Sequence, residues 1–329
     1  MGVHYSIMSD LKFRTLPFNG TDQEFALLYE LENTLDYHVK DWASPSMIKY
    51  HANLIPGKCN AVCEFIEIDR NIVGYGYMGH DEWAFDESLL DSNLAIPNEG
   101  RYFESAQSYL KQQIARARQT EGVKTLRAEF KESDFMKELY TVNGFEVSLT
   151  DFVSIIDLDD FKGERFSKQT KRFNKSDFRV ETLTQLQKSE ADWQRKLFSL
   201  WHSVEEDVPT DLVEPNMDFE YWKSSLFAPW FESDDIYIVL DERWWVALSS
   251  YDRPDKPTDT LSTDLTGVLP EYRRKEICTA LKVFALEDLK SKGYKRVFTD
   301  NEENNPMFQI NLQLGFKKIG SEIGCKLNL

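Results

Sequence analysis

The sequence predicts an α/β (α+β) chain of two tandem repeats, each a mixed, mostly antiparallel sheet flanked by helices. Three observations carry this expectation. A pair of glycine landmarks recurs at one spacing, a β-hairpin recurs upstream of each pair, and a long amphipathic helix follows each hairpin. At 329 residues the chain exceeds the usual size of one domain, and 41% hydrophobic content with 13% aromatics is ample for packed cores.

The repeat is clearest in its glycines, and a fixed period is the first thing to seek. Gly122-Val123-Lys124 precedes Gly144-Phe145, and Gly293-Tyr294-Lys295 precedes Gly315-Phe316; Gly122 and Gly293 differ by 171, as do Gly144 and Gly315. Upstream, residues 61–68 and 236–240 are rich in β-branched and aromatic side chains and read as strands. Polar turns at Asp69-Arg70-Asn71 and Asp241-Glu242-Arg243 lead into second strands over 72–78 and 244–251, giving two hairpins. Further strands end at Ala95-Ile96-Pro97 and Gly267-Val268-Leu269-Pro270, and each runs into a helix. Phe103, Ala106, Leu110, Ile114 and Ala117 fall on one face of the first helix, and Ile277, Leu281, Phe284, Ala285 and Leu289 on one face of the second. Gly122 and Gly293 stop these helices, and short strands follow over 125–130 and 296–299. The expected boundary lies near Leu158, giving domains 1–158 and 159–329. The basic stretch 162–175 reads as a solvated helix face or linker.

Composition narrows the function. A net charge of −17 disfavours binding to nucleic acid. No apolar run approaches the roughly 20 residues of a membrane span, so no membrane partner is expected. The start, Met1-Gly2-Val3-His4-Tyr5-Ser6, lacks a signal-peptide layout and fits only the loose myristoylation pattern, so no lipid anchor is expected. Four cysteines are too few for a disulfide framework. Cys59 and Cys63 lack partners for a zinc site, so free thiols, a cytoplasmic location and no metal are expected.

One stretch is more specific. Leu265-Thr266-Gly267-Val268-Leu269-Pro270-Glu271-Tyr272-Arg273-Arg274-Lys275-Glu276-Ile277-Cys278 resembles the signature of the GNAT (acyl-CoA N-acyltransferase) superfamily, a strand followed by Pro-x-x-Arg-x-x-Gly-x-Gly/Ala at a helix start. Downstream, Asn304, Asn311 and Gly315-Phe316 resemble the family's closing block. The tandem layout is similar to mycothiol-synthase-like two-domain acetyltransferases. This resemblance implies two GNAT-like domains, the second holding acetyl-CoA as acyl-donor substrate and acting on a small-molecule amine. It implies a cofactor site at Thr266, Gly267, Val268, Arg273, Arg274, Lys275, Glu276, Ile277, Cys278, Asn304 and Asn311. The chemistry is sensible, because a helix N-terminus offers unpaired N–H groups and a positive dipole end to a pyrophosphate, and arginines add charge-assisted bonds. The Val268 N–H matches the family position that polarises the acyl carbonyl. Thr266 and Asp264 alternate with Val268 along the strand and are expected on the same face, making Asp264 the candidate catalytic base.

The departures matter equally. Glu276 stands at the first signature glycine and Cys278 at the second small residue. A carboxylate at about 4 Å from a pyrophosphate would be repelled by roughly 4 kcal/mol at an effective dielectric near 20. Asn311 stands where many members carry a tyrosine acid, and Asn cannot donate a proton in that role. In the first repeat Tyr140 keeps the tyrosine position, but Ser133 replaces the asparagine and Pro97-Asn98-Glu99-Gly100-Arg101-Tyr102 lacks the glycine spacing. That domain is expected to be degenerate, with Tyr140 a packing residue. Glu205, Glu206 and Asp207 form an acidic cluster that could receive a cationic substrate or merely end a helix, and His202 is a lone histidine. The favoured function is an acetyl-CoA-dependent N-acetyltransferase working by direct amine attack. The alternatives are a non-catalytic GNAT-fold CoA-binding or regulatory protein with a decayed site, and a structural partner-binding protein.

Overall fold

The computed structural model describes residues 13–35 and 44–329, so the Met1-Gly2 pattern lies outside the described residues. The first repeat runs β1 (Phe13–Pro17), α1 (Asp22–Leu35), α2 (Pro45–Leu54), β2 (Val62–Ile68), β3 (Asn71–Gly79), β4 (Leu89–Ala95), α3 (Phe103–Gln119), β5 (Thr125–Lys131), α4 (Asp134–Val142) and β6 (Glu146–Asp157). After α5 (Ser167–Phe173) the second runs β7 (Phe178–Thr182), α6 (Leu183–Leu186), α7 (Trp193–Glu205), α8 (Phe219–Leu226), β8 (Ile236–Asp241), β9 (Trp244–Asp252), β10 (Thr260–Val268), α9 (Ile277–Ser291), β11 (Arg296–Glu302), α10 (Pro306–Leu314) and β12 (Lys317–Asn328). The basic stretch expected as a helix face or linker contains α5, which buries Phe173.

Two compact units result. Unit 1 reaches Asp151 and adds Asp211–Asn216 and Gly320–Leu329; unit 2 comprises Phe152–Thr210 and Met217–Ile319. In unit 1, β1, β2, β3 and β4 are successive antiparallel neighbours, and β4 pairs parallel with β5 from Leu89↔Thr125 to Asp91↔Arg127. In unit 2, β7, β8, β9 and β10 are antiparallel neighbours, and β10 pairs parallel with β11 from Thr260↔Arg296 to Ser262↔Phe298. Leu89 and Thr260 differ by 171, and so do Thr125 and Arg296. The interval between the glycines is therefore also the interval between the parallel strand pairs.

The division differs from the boundary expected near Leu158. The chain's last strand pairs with β5, from Glu322↔Lys131 to Asn328↔Thr125, and so completes the sheet of unit 1. The second half of β6 lies beside β11, and Leu158, wholly buried, belongs to the core of unit 2. Both repeats end on a strand that follows a helix and a Gly-Phe pair, so the sequence does not show which unit takes which strand. β6 thus serves in both units, where two self-contained sheets were expected.

Each core follows from its helical stripe. Ala106, Leu110, Ile114 and Ala117 of α3 are buried against Leu90, Leu94, Leu126 and Ala128, while Phe103 is half-buried and packs edge-on against Phe135. On α9, Ile277, Leu281, Ala285 and Leu289 are buried, but Phe284 is 44% exposed and leaves the expected stripe. Gly122 and Gly293 adopt φ of +87° and +95° just past the helix ends, the left-handed conformation that glycine adopts without penalty. All four cysteines are free thiols.

Candidate active site in unit 2

The site begins where β10 and β11 part. Their parallel pairing stops at Ser262↔Phe298, and beyond it β10 carries a bulge, because the register against β9 shifts between Thr263 and Thr266. A bulge inserts one residue and re-aims the strand. Thr266 bonds Ser249 at 2.8 Å, whereas Asp264 accepts from Ser250, the next residue of β9, at 3.4 Å. The simple alternation expected to place Asp264 and Thr266 on one face is therefore broken by the bulge, although both still line the same pocket.

Backbone parity decides where Val268 points. Leu269 N–H donates to Val246 O at 2.9 Å, and antiparallel pairs alternate between bonded and non-bonded. Val268, opposite Ala247, is thus in a non-bonded pair and turns its N–H and C=O away from β9, toward the gap. Its carbonyl indeed accepts from Arg273 Nε at 3.1 Å on that side.

A pocket of about 620 Å³ fills the gap. Of the residues singled out from sequence, Asp264, Thr266, Gly267 and Val268 line it on β10. Arg273, Arg274, Glu276, Ile277 and Cys278 line it around the start of α9. Lys275, Asn304 and Asn311 are not among its lining residues. The Lys275 ammonium sits 4.7 Å above the Tyr272 ring. Asn304 is exposed and bonds Glu302, while its neighbours Asn301 and Asn305 line the pocket instead. Asn311 is wholly buried and donates to Asn301 Oδ1 at 2.7 Å, so it lies behind the wall. Gly267 has a reason other than phosphate approach, since a Cβ there would meet Val204 of α7 at 2.2 Å. His202 does not line the pocket; it stacks on Phe198, and its Nε2 lies 3.5 Å from Glu206. Asp207 does line it and forms an ion pair with Arg273.

The segment before α9 is unusual. Arg274 and Glu276 both have positive φ, +61° and +62°, and Glu276 is the N-cap of α9 without making a side-chain cap bond. The first N–H groups of this 15-residue helix therefore have no side-chain cap at the pocket edge. The Glu276 carboxylate turns to Arg172 of α5, at 3.0 Å. These features fit an acyl-CoA donor: helix N–H groups without a side-chain cap for phosphates, arginine beside them, and a strand N–H turned into the gap.

Asp264 is the titratable group at the centre. It is exposed on the pocket wall, yet the protein atoms around it desolvate its carboxyl. That desolvation, followed by the Asp252 and Glu205 carboxylates, pushes its carboxyl up to about 7. Lys282 of α9 also lines the pocket and was not singled out from sequence, because its position falls among the apolar residues of a core helix.

Unit 1 differs at the matching place. β3 and β4 pair from Gly79↔Asp91 to Tyr75↔Ala95 with no register shift. Asn93 Oδ1 accepts the Glu129 N–H at 2.9 Å, and Arg127 bonds Asp91, Glu129 and Asp211 at 3.2, 2.8 and 2.7 Å. Side chains tie β4 to β5 where unit 2 has its gap. Tyr140 is buried, 2% exposed, and stacked on Phe130 with centroids 4.9 Å apart.

Fold and site together define a class: an α/β chain of paired repeats, with a cleft between splayed parallel strands at a helix N-terminus. Solved structures give the class its name. The chain is similar over 96% of its length to a GCN5-related N-acetyltransferase from Sphaerobacter thermophilus, with TM-score 0.65, 12% identity and 95% of that chain covered. It is similar to a tandem GNAT protein from the clavulanic acid biosynthesis pathway, with TM-score 0.62, 12% identity, and 96% and 98% of the two chains covered. An acetyltransferase of the GNAT family from Colwellia psychrerythraea matches with TM-score 0.55, 14% identity, and 97% and 100% covered. No protein-family profile and no curated protein matches the sequence. The chain has the tandem GNAT fold. These structures do not extend the narrower likeness to mycothiol-synthase-like enzymes.

Proposed function

We propose that the protein is an acetyl-CoA-dependent N-acetyltransferase whose unit 2 transfers an acyl group to the amine of a small molecule, unit 1 being a degenerate GNAT-like domain. The observation that carries this reading is the Val268 N–H, turned off β9 into a pocket that begins at the uncapped N-terminus of α9. The names of the similar structures, N-acetyltransferases among them, support the same class.

In this reading the donor supplies an activated thioester carbonyl. Val268 N–H donates to its oxygen as negative charge develops there. Asp264, ionised above about pH 7, removes a proton from the acceptor ammonium directly or through one water, and the neutral amine nitrogen then attacks the carbonyl carbon. The C–N bond forms, the C–S bond breaks, the nitrogen releases its surplus proton to solvent to leave the neutral amide, and the thiolate takes a proton from solvent. Asn311 cannot supply that proton, but a thiol of ordinary pKa, about 8.5, leaves readily without a dedicated acid. One observation favours the non-catalytic alternative: Arg273 is already engaged by Asp207 and the Val268 carbonyl. Calorimetry with acetyl-CoA, followed by a panel of small amines with detection of released thiol, tests both. Binding with turnover supports the enzyme, binding without turnover on any amine supports the regulatory protein, and no binding excludes both.

A further inference from the structure

Lys282 is a charged residue placed in a hydrophobic core. Its neighbours along α9, Leu281, Val283, Ala285 and Leu286, are buried apolar residues, and Lys282 itself is 0% exposed. Among the described residues its Nζ has no hydrogen-bond partner, and the group it faces is the Phe316 ring at 5.7 Å. Among the described residues no carboxylate acts on it. Burial lowers its amine to about 8, with only the Cys278 thiol opposing, so at pH 7 it still carries a proton about nine-tenths of the time. An unpaired buried cation is unfavourable unless a counter-charge arrives.

The pocket is where that counter-charge can come from. Lys282 and Cys278, one helical turn apart, both line it, and a fully buried lining residue belongs to the floor rather than the mouth. Leu265, Met307 and Ile310 supply apolar wall nearby, while Asp264 and Asp300 would repel an anion elsewhere in the pocket. An apolar stem ending in a carboxylate suits this arrangement.

We propose that Lys282 is a seat for the terminal carboxylate of an acyl donor, so that the pocket, besides acetyl-CoA, takes CoA thioesters of short dicarboxylic acids, malonyl or succinyl, and holds them more tightly than neutral thioesters of like length. This extends the donor named above and rests on unit 2 binding CoA thioesters. A charge-assisted bond formed in a desolvated site gives the preference, and its size should be about tenfold or more in Kd.

The test is calorimetric titration of the full chain with free CoA, acetyl-, propionyl-, malonyl- and succinyl-CoA, repeated on Lys282→Met, which conserves length and removes charge. Malonyl- or succinyl-CoA should bind the wild type about tenfold or more tighter than propionyl-CoA. Lys282→Met should abolish that difference, malonyl- and succinyl-CoA falling to the affinity of propionyl-CoA. The wild-type comparison stands by itself should the variant fold poorly. Equal affinity for neutral and acidic thioesters, or a preference that survives in Lys282→Met, overturns the assignment but leaves the acyl-CoA site standing. If Lys282→Met instead alters only discrimination between amine acceptors with and without a carboxylate, the seat is the acceptor's and the donor assignment is wrong. Failure of every CoA species to bind overturns this proposal and the proposed function together.

Discussion

Glu276 Oε2 accepts from Arg172 Nη1 at 3.0 Å, and this ion pair turns the carboxylate at the signature-glycine position toward α5. Glu276 also holds φ at +62°, which costs a non-glycine residue roughly 1–2 kcal/mol. It is the N-cap of α9, not an interior helical residue. Glu276→Gly should therefore raise stability by about 1 kcal/mol, net of a partly exposed ion pair worth about 0–1 kcal/mol. Affinity for acetyl-CoA should rise less than a carboxylate facing the phosphates would imply. Chemical denaturation and titration at two salt concentrations check both. A large affinity gain that shrinks with salt would place the carboxylate at the phosphates after all, and lower stability would mean that the Arg172 pair outweighs the strain at Glu276.

Arg274 lines the pocket with no hydrogen bond or ion pair among the described residues, whereas Arg273 must first leave Asp207. Arg274→Ala should weaken acetyl-CoA binding about ten- to hundredfold, the range for a hydrogen bond to a charged group. Arg101→Ala, in unit 1, should leave binding unchanged. Calorimetry on the two variants reads the contrast directly.

Much of this was legible in the sequence, and the residues show why. The interval of 171 between glycines reappears in Leu89↔Thr125 and Thr260↔Arg296 because turns and parallel strand pairs are fixed by local residue choice. Strand exchange was not legible, because β6 and β12 close their repeats alike and pairing is decided by long-range contact. The bulge beside Asp264 leaves no mark in a run of alternating residues, so the expected shared face failed there. Positive φ at Glu276 is invisible when the residue is not glycine. Lys282 was overlooked because core position and charge contradict each other locally, which is itself the signal that could have found it.

Asp264 sets a pH dependence with a definite sign. Its folded pKa of about 7 lies above the ordinary 3.8, so the native state holds the extra proton between those values. Stability from this group is complete below about pH 4 and is lost as pH rises through 7. Activity should run the opposite way, with kcat/KM rising through about pH 7 and losing that limb in Asp264→Asn. A pH–rate profile unchanged by the substitution would remove Asp264 from the proton transfer.

Lys282 gives the converse case. Its folded pKa of about 8 lies below 10.5, so the unfolded chain binds more protons between those values and stability should rise with pH across that window. Lys282→Met should flatten the rise and increase stability at neutral pH. Urea melts at pH 7.5 and 9.5 compare the two proteins, and an identical slope in both would mean that Lys282 has a salt-bridge partner in solution.

Tyr140 should matter for packing alone. Tyr140→Phe keeps the stack on Phe130 and should leave any transfer activity unchanged, whereas Tyr140→Ala should cost about 3–5 kcal/mol of stability as an aromatic-to-alanine core change. Activity lost in Tyr140→Phe with the fold intact would give the first unit a chemical role.

The two repeats of one fold are asymmetric, with an open gap and an outward Val268 N–H in unit 2 and the Asn93–Glu129 and Arg127 ties in unit 1. The stoichiometry of acetyl-CoA binding to the full chain, measured by calorimetry, tests this asymmetry most directly. The expected result is one molecule per chain, bound more weakly on changing Arg274 and unchanged on changing Arg101; two equivalent sites, or binding that depends on Arg101, would contradict it.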